Sequence, residues 1–234
     1  MKVHNLRWRD IMHHAKLNWV RLPIDTIENC RELGGYLTET GHPTKWHSFL
    51  RSSEMNKITN DDIDFLKEYG VKTVIDLRRK EEIEKSKNPL SEMNDFDYHN
   101  ISFHAGNVGD ITRYAATKEN FTMGDFYVDL LKQHHIVKEL FHTIYFAKEG
   151  AIVFHCRVGK DRTGVLAMLL LGLAGVSKKD IVSNYEVSFT NLESLHPAVD
   201  KFDHLPSDYF LSRRENILQA YHYVIDKYGT FENY

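Results

Sequence analysis

The chain has 234 residues, 42% of them hydrophobic and 27% charged, with a formal net charge of −3 and 14 histidines. This is the composition of an ordinary globular protein long enough to bury a substantial core. The near-neutral balance gives no electrostatic case for nucleic acid as a partner, and two cysteines, Cys30 and Cys156, exclude a disulfide framework or a cysteine-rich metal site.

Residues 1–18 read as a polar lead-in carrying Trp8, Ile11 and Met12. Asn18 to Tyr36 and Ser48 to Arg51 suggest strands, broken by turns at Gly34-Gly35 and Gly41-His42-Pro43. Thr59-Asn60-Asp61-Asp62 caps a helix from Ile63 to Tyr69 that stops at Gly70. Val71 to Ile75 is a β-branched strand ending at Asp76, and Phe96 to Phe103 alternates like another strand. His104 to Thr122 holds Gly106 and Gly109 and lacks periodicity; with the residues as far as 135 it is the candidate lid. From Asp125 to Lys148 apolar residues recur at helical spacing, in one or two helices.

Ala151-Ile152-Val153-Phe154 is a short buried strand, followed by a buried helix from Arg162 to Val176. The apolar run Val165 to Val176 is too short for a bilayer, which takes about 20 residues, so no stable membrane insertion is expected. Lys178 to Phe189 and Asp208 to Tyr228 complete a helical C-terminal half. Strands alternating with helices imply an α/β fold, a mainly parallel central sheet flanked by helices, in one domain spanning 1–234. No secretory signal is recognisable, and the default expectation is a cytoplasmic protein.

The chemistry concentrates between strand and helix, at His155-Cys156-Arg157-Val158-Gly159-Lys160-Asp161-Arg162-Thr163-Gly164. Five residues separate Cys156 from Arg162, enough chain to curl once around a tetrahedral anion. Loop amides and the positive end of the helix dipole converge there. Arg157, Val158, Gly159, Lys160, Asp161 and Arg162 are therefore the candidate phosphate-binding residues. An NTPase loop is excluded, because Asp161 follows Lys160 where Ser or Thr is needed and Phe154 stands in place of the first glycine. Cationic neighbours and a helix start favour a thiolate, making Cys156 the candidate nucleophile. The Arg162 guanidinium offers a planar fork for two phosphate oxygens.

Asp161 is the candidate general acid, since a neighbouring dianion disfavours its ionised form; its other role is to cap the following helix. Thr163 either donates to the sulfur or caps the helix, and His155 orients the loop. Lys160 reads either as an extra cation toward a multiply charged substrate or as a solvated lysine. Asp76, also at a strand end, is expected to hold an ion pair with Arg162 or Arg78, with the acid role as its alternative. His13-His14 and His134-His135 lack a converging carboxylate, so neither a metal nor another cofactor is expected.

With these residues in hand, the chain resembles the atypical tyrosine phosphatases of bacteria and fungi that carry an HCxxGKDRTG loop. Asn29-Cys30-Arg31-Glu32-Leu33-Gly34-Gly35-Tyr36, Leu50-Arg51-Ser52-Ser53, Val74-Ile75-Asp76-Leu77-Arg78, Met123-Gly124-Asp125-Phe126-Tyr127 and Tyr228-Gly229-Thr230-Phe231-Glu232 match further landmarks of that family. Cys30 and Glu32 depart mildly from its pattern. The resemblance implies metal-independent hydrolysis of phosphomonoesters with Cys156 as nucleophile, Arg162 as phosphate ligand and Asp161 as in-loop acid. It implies phosphotyrosine proteins as substrates, with phosphoserine, phosphothreonine and phosphoinositides in reach. It also places Cys30 near the site, where a redox bridge to Cys156 would silence the thiol. The rival readings are a catalytically silent phosphate-binding module and a loop of the same spacing used for sulfur or arsenate transfer.

Overall fold

The computed structural model describes residues 15–105, 121–201 and 207–234. Five strands form one sheet: β1 (Arg31–Glu32), β2 (Phe49–Ser52), β3 (Val71–Asp76), β4 (Asp97–Asn100) and β5 (Ala151–His155). Their order is β1-β2-β5-β3-β4, with β1 antiparallel to β2 and the other neighbours parallel. β5, which leads into the cysteine loop, is the central strand.

The buried strands sort their residues with period two. Ile152 and Phe154 of β5 join a core with Ile75, Leu77 and the C-terminal helices, while Ala151 and Val153 join a second core with Leu50, Val71 and Val74. Both faces are thus covered by apolar side chains, as parallel sheets require.

Eight α-helices are described: α1 (Asn60–Tyr69), α2 (Lys80–Lys85), α3 (Met123–Leu131), α4 (His134–Tyr145), α5 (Asp161–Leu173), α6 (Lys178–Glu186), α7 (His196–Lys201) and α8 (Arg214–Tyr228). Thr59 and Asp62 form the expected capping box at α1, and Gly70 closes it in the left-handed region at φ 99°. The periodic stretch after Asp125 divides into α3 and α4, and α8 packs along α3.

Three expectations need correction. The strands expected from Asn18 to Tyr36 shrink to β1 and an isolated Arg21–Arg31 bridge, because this segment turns repeatedly to cap other elements. The last helix starts at Arg214 rather than near Asp208, where a 3-10 turn (Ser207–Tyr209) precedes it. The candidate lid does not extend to residue 135: Met123, Tyr127, Leu130 and Leu131 are buried core residues. Its central part, residues 106–120, lies outside the described residues, as do residues 1–14 of the lead-in.

Phe154 is wholly buried at the middle of the sheet. Phe154→Ala is expected to cost about 3–5 kcal/mol through lost transfer energy and a residual cavity. Denaturant titration should show a lower midpoint at an unchanged slope.

Candidate active site

The end of β5 delivers His155 and Cys156 to the carboxyl edge of the sheet, and α5 begins five residues later at Asp161. The loop between them closes because Gly159 adopts φ 73°, where a Cβ would sit 2.4 Å from the Ser52 carbonyl oxygen. Its N–H donates to the Cys156 sulfur at 3.3 Å.

The loop carbonyls are held from outside. Gly159 O accepts from Asn29 Nδ2 at 2.8 Å and from Arg51 Nη2 at 2.9 Å. Arg157 O accepts from the Glu54 N–H at 3.0 Å, and Cys156 O accepts from His155 Nδ1 at 3.0 Å. In a trans peptide the N–H of the next residue points opposite to the carbonyl. Pinning these three carbonyls outward turns the N–H groups of Arg157, Val158 and Lys160 inward. None of the three donates to a protein acceptor among the described residues. Together with the start of α5 they form an anion cradle beside the sulfur.

His155 is fully buried, and burial lowers its pKa, so it is a neutral imidazole. Asn88 gives its carbonyl oxygen to the Leu90 N–H, so its amide nitrogen donates to His155 Nε2 at 2.9 Å. That leaves the proton on Nδ1, where it reaches the Cys156 carbonyl. His155 orients the loop, as expected.

Arg162 meets Glu82 end-on through two parallel bonds, Nη1 to Oε2 at 2.7 Å and Nη2 to Oε1 at 2.8 Å. Burial opposes the guanidinium charge, but Glu82 and the nearby sulfur outweigh it and raise the Arg162 pKa. The pairing leaves the side edge of the guanidinium, Nε and one N–H of Nη2, without a protein acceptor among the described residues.

Asp161 occupies the first turn of α5 but does not cap it; Lys160 stands at the cap position, and its side chain makes no capping bond to the helix. The Asp161 carboxylate instead accepts from the Tyr127 hydroxyl at 2.5 Å, and Tyr127 and Tyr185 hydroxyls meet at 2.6 Å. Burial and Asp161 raise the pKa of both phenols, keeping them protonated. Oδ1 carries these contacts and the Lys160 ammonium at 3.4 Å, while Oδ2 accepts no bond among the described residues.

Other candidate residues fall elsewhere. The Lys160 ammonium, read as an extra cation for substrate or a solvated lysine, is buried and donates to the Tyr209 and Leu211 carbonyls at 2.8 and 3.2 Å. Asp76 is wholly buried and accepts from the Arg78 backbone N–H, from Nε and Nη2 along one edge of the Arg78 guanidinium, and from the Tyr98 hydroxyl. Burial would raise its pKa, but the Arg78 guanidinium and the Tyr98 hydroxyl prevail and lower it. Asp76 is therefore the partner of Arg78; it does not touch Arg162 and has no face open to a substrate.

The Thr163 hydroxyl is buried without a hydrogen-bond partner among the described residues, so it neither caps the helix nor reaches the sulfur. Arg157 projects to solvent. Cys30 lies in the core on the opposite face of the sheet from Cys156. Burial pushes its thiol up to about 12, and both cysteines are free. A bridge between them would have to cross the sheet.

Sequence reasoning missed Glu82 as the partner of Arg162, and Asn29, Arg51 and Tyr127 as the groups that hold the loop and its carboxylate. The signal was present in part, since three of the four lie in the landmark segments.

Glu82 has a lowered pKa: burial opposes its charge, but Arg162 overcomes it. The sign follows: this pair stabilises the fold above the ordinary carboxylate value of 4.5 and loses that contribution as pH falls through the depressed value. Glu82→Gln should therefore be less stable at neutral pH and lose less stability on acidification between about pH 5 and pH 3. Thermal unfolding across that range tests this.

Residues 22–234 match the model of the tyrosine phosphatase family. A tyrosine-protein phosphatase of Nostoc commune is 38% identical over 147 residues, covering 62% of this chain and 50% of that protein. A relative in Cupriavidus necator is 28% identical over 172 residues, covering 70% of this chain and 61% of that protein. The chain thus spans half to three-fifths of the length of these two relatives. Among solved structures, that of P. aeruginosa TpbA is similar at a TM-score of 0.40 and 15% identity, covering 87% of this chain and 97% of that one. By the extent of the family match, this chain belongs to the tyrosine phosphatase family.

Proposed function

We propose that the chain is a single catalytic unit that hydrolyses phosphotyrosine through a cysteinyl-phosphate intermediate. The observation that carries this reading is the bonding of three loop carbonyls from outside, which turns the next amides toward the inside of the loop that starts at Cys156; the edge of Arg162 left without an acceptor among the described residues supports it. Preorganised donors of this kind stabilise the charge that develops on equatorial phosphate oxygens, typically by several kcal/mol.

In the first step the thiolate attacks phosphorus and the bond from phosphorus to the tyrosyl oxygen breaks. Asp161 gives its proton to that leaving oxygen from Oδ2. In the second step a water attacks phosphorus, its proton passes to Asp161, and the thiolate departs with the electrons of the sulfur–phosphorus bond. Arg162 holds two phosphate oxygens throughout with its side edge, while Glu82 fixes its plane from the end. The tyrosine pair keeps the Asp161 carboxyl aimed into the loop. Phosphoserine, phosphothreonine and phosphoinositides are further esters this chemistry accommodates. Lys160 lends no support to a multiply charged head group, because its charge is spent on the Tyr209 and Leu211 carbonyls.

Cys156→Ser should abolish turnover of an aryl phosphate, by roughly a thousandfold or more, the scale on which loss of a nucleophile registers. Persistence of hydrolysis in that variant contradicts the mechanism, and binding of phosphotyrosine without turnover by the unmodified chain supports the silent binding module. Asp161→Asn should slow esters with poor leaving groups by about 10²–10⁴-fold and activated aryl esters far less. Equal slowing of both would move the acid role to another group.

A further inference from the structure

Residues directly opposite each other in a ladder share a face of the sheet, and here that places three arginines in a row. Arg21 bridges Arg31, and Arg31 pairs with Arg51 between β1 and β2. Arg21 is exposed, whereas Arg31 and Arg51 are 3% and 0% exposed. Like charges opposite one another are unfavourable in a sheet, and buried charges ordinarily have a counter-charge. None of these three has a carboxylate partner among the described residues; the partners of Arg31 and Arg51 are amides, carbonyls and hydroxyls.

Arg31 donates from Nε to Asn29 Oδ1 at 2.9 Å, from Nη1 to Asn184 O at 2.8 Å and from Nη2 to Ser188 Oγ at 3.0 Å. A guanidinium has five N–H groups, so each terminal nitrogen keeps one more. Arg31 lines a cavity of about 390 Å³ together with Arg21, Tyr36, Ser183, Thr190 and Asn191. The Tyr36 hydroxyl accepts from Asn184 Nδ2, which leaves its own proton to donate. Glu32 also borders this space, but its oxygens are taken by the Tyr69 hydroxyl and by the N–H groups of Leu33, Gly34 and His47. The apolar Val20 and Val187 complete the wall, and the two arginines outnumber the one carboxylate beside them; paired guanidiniums with hydroxyl donors have the chemistry of an oxyanion seat.

We propose that this cavity is a second anion-binding site, separate from the Cys156 loop, which seats a phosphate-type oxyanion between Arg21 and Arg31. The oxyanion supplies the counter-charge that the protein itself does not give the arginine row. Through Asn29, which bonds both Arg31 and the Gly159 carbonyl, the seat lies two hydrogen bonds from the catalytic loop.

The test separates the two sites by variant. In Arg162→Ala, which removes the main anion ligand of the loop, inorganic phosphate well above half-saturation should still raise the melting temperature by about 3 °C. Adding Arg21→Glu, a change at an exposed side chain that spares the core, should abolish the rise at matched ionic strength; Arg21→Gln should weaken it. Phosphoserine, run in parallel, distinguishes a seat for the free anion from one that also accepts a small phosphate ester. No rise in Arg162→Ala, or an equal rise after Arg21→Glu, overturns the proposal.

Discussion

The site depends on which way three peptide planes face. The carbonyls of Cys156, Arg157 and Gly159 are each bonded by a donor outside the loop: His155, the Glu54 N–H, and Asn29 with Arg51. Because a peptide plane is rigid, every carbonyl drawn outward sends the next N–H inward. The same loop relaxed by rotation of one plane would present an oxygen to the anion and repel it. Asn29, Arg51 and His155 are themselves buried, and each meets a further partner.

That buttress explains why distant segments converge here. Asn29, Arg51 and Glu54 come from the region around β1 and β2, Glu82 from α2, and Tyr127 and Tyr185 from α3 and α6. Arg162 and Asp161, adjacent in sequence, are steered by opposite neighbours. A carboxylate meets the arginine end-on, whereas the aspartate accepts from a buried phenol and faces the Lys160 ammonium at 3.4 Å.

What was legible in the sequence was local. Cys156 to Arg162 is a contiguous run whose spacing and flanking strand and helix are visible directly, and the Thr59–Asp62 cap and the periodicity of α3 and α4 obey short-range rules. The α/β architecture with its mostly parallel sheet followed from that alternation. What was not legible depends on partners far along the chain. Lys160 reads as a loop cation until carbonyls 49 and 51 residues away claim it. The helix-cap alternative for Asp161 falls away because the Tyr127 hydroxyl takes its oxygen. Cys30 and Cys156 look pairable until the sheet is seen to separate them. Asp76 was read as the holder of a corner, and Arg78 rather than Arg162 proves to be the arginine it holds.

The central claim is that the sulfur of Cys156 bonds to phosphorus during turnover. Rapid acid quenching of a reaction with an aryl phosphate, followed by peptide mass spectrometry, tests it most directly. The account predicts phosphate on the peptide containing Cys156, appearing within the first turnover and disappearing as substrate is exhausted. Steady hydrolysis with phosphate on a different residue, or an oxygen-18 water label entering product with no phosphoenzyme at any quench time, would contradict it.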